Sequence, residues 1–282
     1  MREKDFNMEC YPYEEKRFST WSAGIIQPKY DGDRIRVKIE KGVAVLYSSS
    51  KRVITSLPHL NKELTSMYSN QEGLEIDCEG YCHEMKHPEI SGIIRTTRFI
   101  PAYSSKIKLY ALDLPNSNAV LINRITELSR FIGCSGIIRA VPSYSLTKHS
   151  DVKDFLKVFY SQGYEGFVIK NALSLYETKR SVNWMKYKPR KTDSYKIIGF
   201  EEQVDKWGEL KNTLGALILY CDKGTFNVGT GFDDAERKEI WSNKEKYLGK
   251  MFKISYQELS KDGIPREPSS KIVDSLLGEN YG

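Results

Sequence analysis

The stretch that decides the fold is 27-QPKYDGDRIRVKIEKGVAVLYS-48. Between residues 34 and 39, arginine and lysine alternate with isoleucine and valine, and the alternation resumes after Gly42. A period of two on both sides of a glycine predicts a β-hairpin. Asp31-Gly32, just upstream, predicts a further turn. Lys29 therefore stands beside a turn, between an apolar run (residues 23–26) and the predicted hairpin.

Strands and helices mix irregularly around this hairpin, as far as about residue 188. Helices are predicted over 58–69 and 120–132, and from a Ser150 cap to about Tyr160, while strands are predicted over 73–82, 106–114, 166–170 and 182–188. Regular alternation of strand and helix is missing, which indicates an α+β domain rather than a parallel α/β sheet. We assign this domain to residues 1–188.

A short breaker, "PRKTDS" (189–194), separates this part from a different pattern. Short strands are predicted over 195–203, 214–221, 224–232 and 250–259, with one helix over 233–248. Many short strands in so few residues suggest a small all-β barrel of the OB type. The second domain is therefore expected to cover residues 189–282, with a hinge across the breaker.

Composition sets limits on the protein class. The 282 residues include 43 Lys+Arg and 37 Asp+Glu, a net charge of +6, which permits a polyanionic partner. The five cysteines are odd in number and form no CxxC pair, which favours a reducing compartment. The start of the chain has no apolar leader, and no apolar run is long enough to cross a bilayer. We expect an intracellular protein without a membrane segment.

Lys29 is the first candidate for chemistry. A free lysine has a pKa near 10.4, so a nucleophilic lysine needs that pKa lowered by burial or by neighbouring cations. The segment "WMKYK" places Lys186 and Lys188 on one face of a strand, where they would depress the pKa of Lys29 and bind phosphate. For the tetrapeptide "KYDG" alone, an ordinary turn is the competing interpretation.

Carboxylates follow in two further motifs. "YEGFVIK" places Glu165 at the entry of a strand, where a glutamate could hold the divalent cation that phosphoryl transfer needs. "IDCEGY" places Asp77 and Glu79 on one strand face, suited to a metal or a ribose. For Glu165, a plain surface acid at the start of a strand remains the alternative.

Taken together, the motifs resemble a known family. "KYDGDR", "DCEGY", "YALDL", "EGFVIK" and "WMKYK", in this order, resemble the nucleotidyltransferase motifs of ATP-dependent DNA ligases. "LGALIL", "NVGTGF" and "GIPREP" look like the ligase OB domain and its closing motif. The resemblance runs from about residue 24 to 273, and the small size is similar to that of minimal viral and phage ligases.

This resemblance implies a cofactor, a substrate and a set of roles. Lys29 would attack the α-phosphorus of ATP and form lysyl-AMP; AMP would then pass to the 5′-phosphate of a nick in duplex DNA, and the 3′-hydroxyl would seal it. Residues expected to contact the nucleotide are Arg34 and Glu79 at the ribose, Leu112 at the base, Arg180 nearby, Lys186 and Lys188 at the phosphates, and Arg266 at the leaving pyrophosphate. Glu165 and Glu79 are expected to hold Mg²⁺, and a monomer is expected.

Several positions depart from the family pattern. Ser49 stands where an arginine serving the nick or AMP phosphate is usual, so Lys51 or Arg52 is a candidate replacement. Leu112 replaces an aromatic that stacks on adenine, and Tyr110 on the same face is expected to compensate. For DNA contact, "RTTRF" (95–99) and the residues Lys206, Trp207 and Lys211 are candidates, with solvated loops as the alternative.

Three other functions fit part of this pattern. An mRNA capping guanylyltransferase shares the lysyl–nucleotide chemistry and an OB domain. An RNA ligase shares the chemistry, although "GTGF" in the second domain speaks against most of that class. An inactive nucleic-acid-binding relative would explain Ser49 and Leu112.

Overall fold

The structure is a computed structural model that describes residues 6–133, 135–272 and 276. Contacts between Cα atoms divide the chain into two compact units, Met1–Tyr187 and Lys188–Gly282. The predicted boundary after residue 188 lies one residue from this division. Each unit is described by itself.

The first unit combines strands and helices. Its described strands are β1 (Glu9–Pro12), β2 (Gly24–Lys29), β3 (Asp33–Glu40), β4 (Val43–Ser48), β5 (Glu75–Tyr81), β6 (Lys108–Asp113), β7 (Ile138–Ala140), β8 (Tyr144–Leu146), β9 (Gly166–Asn171) and β10 (Arg180–Tyr187). Its described α-helices are α1 (Glu15–Phe18), α2 (Pro58–Tyr68), α3 (His87–Arg95), α4 (Leu121–Ile132) and α5 (Val152–Ser161), with short 3-10 turns at Ser104–Lys106 and His149–Asp151.

These strands form two five-stranded sheets. The first has the order β1-β10-β9-β2-β8, and the second has the order β4-β3-β5-β6-β7. Only β1–β10 and β6–β7 pair in parallel among the described strands. The largely antiparallel pairing, with helices between strands, confirms the α+β class.

The hairpin predicted from the opening stretch is confirmed as β3 and β4. Lys41 and Gly42 both have positive φ, the two-residue turn that matches the twist of paired strands. Asp31-Gly32, however, does not close a hairpin, because β2 and β3 belong to different sheets. The bend instead carries the chain from one sheet to the other, a relationship that local sequence patterns do not encode.

A single apolar core lies under the second sheet. Ile35 and Val37 of β3 are fully buried there, as are Leu60 and Leu64 of α2. Contributions from α3 and α4 complete the same cluster. The polar face of β3 is covered as well: Arg36 is only 2% exposed. It pairs with Glu75 and donates to the Phe6 carbonyl oxygen.

One helix start differs from its prediction. Helix α5 begins at Val152 after the 3-10 turn, so the residue before its first turn is Asp151 rather than Ser150. The Ser150 hydroxyl donates to Asp151 Oδ1 (2.9 Å) instead of accepting a helix N–H. The predicted cap was therefore wrong, because the chain enters the helix through a tighter turn.

The second unit is mostly β. Its described elements are β11 (Lys191–Val204), β12 (Leu210–Cys221), β13 (Gly224–Val228), α6 (Asp234–Ser242), α7 (Lys244–Tyr247) and β14 (Met251–Tyr256). The sheet order is β13-β12-β11-β14, all antiparallel, around a core that includes Ile197, Leu217 and Ile254. Two predictions were wrong: residues 191–194 belong to β11, and the helix expected over 233–248 breaks at Asn243.

None of the helices in the part of the chain that the structure describes is long and apolar enough to cross a membrane.

Candidate active site

A cavity of about 400 Å³ in the first unit brings together residues from both sheets. Six of the predicted site residues line it: Lys29, Arg34, Glu79, Leu112, Arg180 and Lys186. Glu165 contacts Lys29 directly. Lys188 and Arg266 belong to the second unit, where Arg266 pairs with Glu258 at 2.8 Å, and the roles proposed for both stay predictions.

The bend after Lys29 depends on a close backbone approach at Gly32. A Cβ atom there would lie 2.3 Å from the carbonyl oxygen of Gly80 in β5, far inside any real contact. Glycine is therefore required by the space available rather than by a left-handed φ. This approach lets the chain cross between the sheets, which leaves Lys29 at the end of β2, facing the cavity.

The Lys29 ammonium forms an ion pair and hydrogen bond with Glu165 Oε2. Pairing of β2 with β9 sets Lys29 opposite Gly166, so Glu165 is fixed beside it. Burial works to lower the pKa of Lys29, but the carboxylates of Glu165, Glu79 and Asp31 outweigh it, and the pKa is raised. The depressed pKa predicted from neighbouring cations is therefore not what this structure shows.

Arg34 is held by a buried partner. Its Nε and one terminal nitrogen donate to the two oxygens of Asp77, and Asp77 also accepts from the Tyr176 hydroxyl (2.6 Å). Asp77 is fully buried, and burial alone would raise its pKa. The guanidinium of Arg34 outweighs that effect and keeps the pKa of Asp77 below its usual range. Asp77 thus positions Arg34 at the cavity wall. Its prediction as a metal or ribose ligand was wrong, because both oxygens are already committed inside the protein.

Glu79 faces the cavity and lies opposite Arg34 in the pairing of β3 and β5. Burial raises its pKa to about 7, although Arg34 and Lys29 oppose that shift. The described residues contain no group of three or more metal-ligating side chains. Mg²⁺ is usually held by only one or two carboxylates together with substrate phosphates, so Glu79 and Glu165 fit such an ion.

Lys170, at the end of "EGFVIK", is a site residue that the sequence analysis did not assign. It is 1% exposed yet lines the cavity, and its Nζ donates to the Leu112 carbonyl oxygen (3.1 Å). The ammonium also lies 3.7 Å from the centre of the Trp184 ring. Burial lowers the pKa of Lys170 to about 8. The signal in the sequence was a lysine in an otherwise apolar strand.

Two buried polar atoms in the cavity wall have no hydrogen-bond partner: Gln27 Oε1 and Trp184 Nε1. Gln27 is 2% exposed, and its Nε2 donates to Ser143 Oγ (2.8 Å), which orients the amide oxygen. Unpaired buried polar atoms are costly, and Tyr13, Arg17, Arg36 and His149, outside the cavity lining, each carry one as well. The two in the cavity wall are an acceptor and a donor.

The base-stacking role expected of Tyr110 does not match its contacts. Tyr110 stacks on Tyr30, with ring centres 4.4 Å apart, and Tyr30 also packs edge-on against Tyr81 and Tyr164. Tyr30 and Leu112, rather than Tyr110, line the cavity. Tyr110 therefore supports the cavity wall from behind.

A lysine at a strand end, a glutamate paired with it and further cations around one cavity are the groups that covalent nucleotidyl transfer requires. Residues 12–188 match the family model of the ATP dependent DNA ligase domain, and residues 207–273 match the DNA ligase OB-like domain. The chain belongs to the ATP-dependent DNA ligase family. This favours the ligase interpretation over the capping guanylyltransferase.

Individual relatives agree with the family. The DNA ligase of Haemophilus influenzae is 26% identical over 193 residues, covering 68% of each chain. That of African swine fever virus is 24% identical over 267 residues, covering 86% of this chain and 61% of the viral one. The chain spans only 40% of the DNA ligase of Nitrosopumilus maritimus.

Solved structures show the same fold. A Lig E DNA ligase superposes with a TM-score of 0.69 at 19% identity, covering 93% of this chain and 97% of the other. Chlorella virus DNA ligase-adenylate superposes with a TM-score of 0.52 at 22% identity, covering 93% and 96%.

Proposed function

We propose that this chain seals nicks in duplex DNA that carry a 3′-hydroxyl and a 5′-phosphate, using ATP and Mg²⁺. The observation that carries the proposal is the position of Lys29: it ends β2 at a nucleotide-sized cavity, paired with Glu165. Free cysteines among the described residues accord with an intracellular site of action. We further propose that the protein acts as a monomer.

The first step forms a phosphoramide on Lys29. Nζ gives up a proton, for which Glu165 Oε2 is the contacting base, and attacks the α-phosphorus of ATP. A nitrogen–phosphorus bond forms, the bond to the bridging oxygen breaks, and pyrophosphate leaves. Glu165 and Glu79 would hold Mg²⁺, which neutralises phosphate charge.

The remaining steps move AMP to the DNA. An oxygen of the 5′-phosphate attacks the phosphorus bound to Lys29 and releases the lysine, and the 3′-hydroxyl then displaces AMP. Lys170, Lys186 and Arg180 line the cavity as cations that stabilise the phosphates. Lys188 is proposed to assist them, and Arg266 to orient the leaving pyrophosphate.

Base selection is proposed to involve Gln27. Its unpartnered Oε1 is an acceptor, which suits the exocyclic amine of adenine and opposes the carbonyl oxygen of guanine. This assignment gives a chemical reason for using ATP rather than GTP.

An adduct assay tests the proposal. The protein is incubated with Mg²⁺ and either α-labelled ATP or α-labelled GTP, and nicked DNA is then added. We expect an AMP adduct that transfers to DNA and yields a sealed strand. A GMP adduct without an AMP adduct would establish the capping reaction instead, and transfer to nicked RNA alone would establish an RNA ligase.

A further inference from the structure

A short loop, residues 162–165, connects α5 to β9 and ends at Glu165. The backbone N–H of Glu165 donates to the carbonyl oxygen of Lys29 (3.1 Å), and its side chain pairs with the Lys29 ammonium. The backbone bond places the Cα atom of Glu165, but the carboxylate lies further out, on a side chain with several rotatable bonds. The position of the carboxylate therefore depends on how the loop packs.

Tyr164, the residue before Glu165, anchors this loop by its ring. The ring packs edge-on against that of Tyr30, with centres 5.0 Å apart, and against that of Phe159 in α5, at 6.3 Å. The backbone N–H of Tyr164 also donates to the Phe159 carbonyl oxygen (3.0 Å). Because edge-to-face contacts between aromatic rings are directional, these contacts set the orientation of the loop as well as its distance from Tyr30.

Tyr30, the residue after Lys29, is a firmly packed partner for Tyr164. It is 6% exposed, and its ring also contacts those of Tyr81 in β5 and Tyr110 in β6. Burial and a hydrogen bond to Tyr164 raise the pKa of Tyr30, so its hydroxyl stays protonated. The two segments that carry Lys29 and Glu165 are thus joined a second time, one residue along each chain.

His83 gives the loop a second aromatic neighbour. It shares a hydrogen bond with the Tyr81 hydroxyl (2.9 Å), and its ring centre lies 5.8 Å from that of Tyr164. Gly163 has a φ of +83°, and a Cβ atom there would lie 3.3 Å from the His83 ring, a tight contact. Glycine therefore lets the loop turn close to His83 and present Tyr164 to Tyr30.

We propose that Tyr164, packed on Tyr30, is a positioning residue for the formation of lysyl-AMP, because it holds the Glu165 carboxylate against the Lys29 ammonium. Tyr164 lies outside the lining of the nucleotide cavity, so it acts only through Glu165. In that step Glu165 takes a proton from Nζ, and the freed electron pair of the nitrogen forms the bond to the α-phosphorus as pyrophosphate leaves. The inference rests on the proposed function, which assigns this proton transfer to Glu165.

The first test is single-turnover formation of lysyl-AMP by Tyr164→Ala over a range of ATP concentrations. The maximal rate should fall about tenfold or more, because a small displacement of a reacting group costs a large factor in rate. The ATP concentration that gives half of this rate should stay within about threefold of the parent, since Tyr164 does not line the cavity. Tyr160→Ala, at an exposed position of α5, is the matched control and should behave like the parent. A parental maximal rate in Tyr164→Ala, or a change confined to the half-saturating concentration, would overturn the proposal.

A double-mutant cycle shows whether Tyr164 works through Glu165. Adding Tyr164→Ala to Glu165→Gln should lower the maximal rate by less than about twofold, because the carboxylate that the ring positions is already gone. The same factor in both backgrounds would contradict that route. Tyr164→Phe keeps the ring beside Tyr30 and should retain the parental rate within about threefold. A Phe variant as slow as the Ala variant would remove the role assigned to the ring.

A zero-length cross-link measures the Lys29–Glu165 contact without catalysis. A water-soluble carbodiimide joins an amine to a carboxylate that already touches it, with loss of water, and mass spectrometry of the digested protein measures the Lys29–Glu165 amide. The exposed pair of Lys106 and Glu84 (3.1 Å) supplies the internal standard. Relative to this standard, the yield should fall about fivefold or more in Tyr164→Ala and stay parental in Tyr160→Ala.

The cross-link also keeps the two proposals separable. If the parent forms no lysyl-AMP from ATP, the proposed function fails, while the cross-link yield still decides whether Tyr164 holds Glu165 against Lys29. Equal yields in the parent and in Tyr164→Ala would overturn the positioning role whatever the activity. If Tyr164→Ala does not fold, Tyr164→Leu, which fills more of the space but lacks the ring, is held to the same expectations in all three measurements.

Discussion

Lys29 ends β2 opposite Gly166, the first residue of β9, and the side chain of the preceding Glu165 forms an ion pair with Lys29 at the wall of the nucleotide cavity. Burial acts to lower the pKa of Lys29, but Glu165, together with Glu79 and Asp31, outweighs burial and favours the protonated lysine. A nucleophile stored in this way must lose its proton before it attacks. Glu165 therefore favours the protonated form of Lys29 and is also the residue positioned to accept its proton.

Replacing Lys29 should abolish adduct formation while leaving the fold intact. Lys29→Ala has no nucleophile, and Lys29→Arg carries a guanidinium that stays protonated. We expect no labelled protein with α-labelled ATP in either variant. Lys62→Ala, an exposed lysine on α2, is the control and should label like the parent. An adduct on Lys29→Ala would show that another residue is the nucleophile.

Glu165→Gln should change the pH dependence of the first step. The carboxylate raises the pKa of Lys29, so its removal should move the rise of the single-turnover rate with pH toward lower pH. At saturating ATP and Mg²⁺ the plateau should also be lower, because one expected metal ligand is lost. An unchanged profile in the variant would mean that the ion pair breaks before the step that is measured.

The sequence predicted well those elements that depend on local periodicity. The β3–β4 hairpin, α2 and α4 follow from alternation or helical spacing, and each was found. How elements distant in the sequence are arranged does not follow from local periodicity. Asp31-Gly32 looks like a hairpin turn, yet it joins two sheets because Gly32 permits contact with Gly80.

The same distinction applies to the site. Ordered motifs pointed to Lys29, Arg34 and Glu79, which the fold brings to one cavity. Gln27 and Lys170 were missed, since their roles depend on partners 116 and 58 positions away, Ser143 and Leu112. A buried polar residue reveals its function only when its surroundings are known.

Gln27→Met should weaken the choice between ATP and GTP. Methionine keeps the volume but removes the unpartnered acceptor, and a hydrogen bond of this kind contributes about 1 kcal/mol. We expect roughly a fivefold loss in the ratio of adduct formation rates with ATP and GTP. Gln71→Met, at an exposed position, serves as the control. Equal ratios in parent and variant would remove Gln27 from base selection.

Asp77→Ala should destabilise the first unit strongly. The change leaves Arg34 without its buried partner and Tyr176 without its acceptor. Breaking one side of a buried ion pair costs about 3–5 kcal/mol. Urea unfolding should show this loss, whereas Asp154→Ala, an exposed acid on α5, should change stability by less than about 0.5 kcal/mol. A loss below about 1 kcal/mol would mean that water replaces the missing carboxylate.

Glu79→Gln should alter how stability depends on pH. Burial raises the pKa of Glu79 from 4.5 to about 7, so between these values the folded protein keeps a proton that the unfolded chain has lost. The unfolding free energy contributed by this group is therefore full below pH 4.5 and falls as pH rises to 7. Glutamine has no titratable proton, so the Glu79→Gln variant should not lose unfolding free energy from this position as pH rises.

The comparison of Glu79→Gln with the parent isolates this one group, because the other titrating residues are common to both proteins. The stability of the variant relative to the parent should increase by about 2 kcal/mol between pH 5 and pH 7. Urea unfolding at several pH values measures it, with Glu63→Gln, on the exposed face of α2, as the control. Parallel curves for the Glu79 variant and the parent would show that the carboxylate is ionised in the folded protein. Glu79 would then carry its charge before any metal or nucleotide arrives.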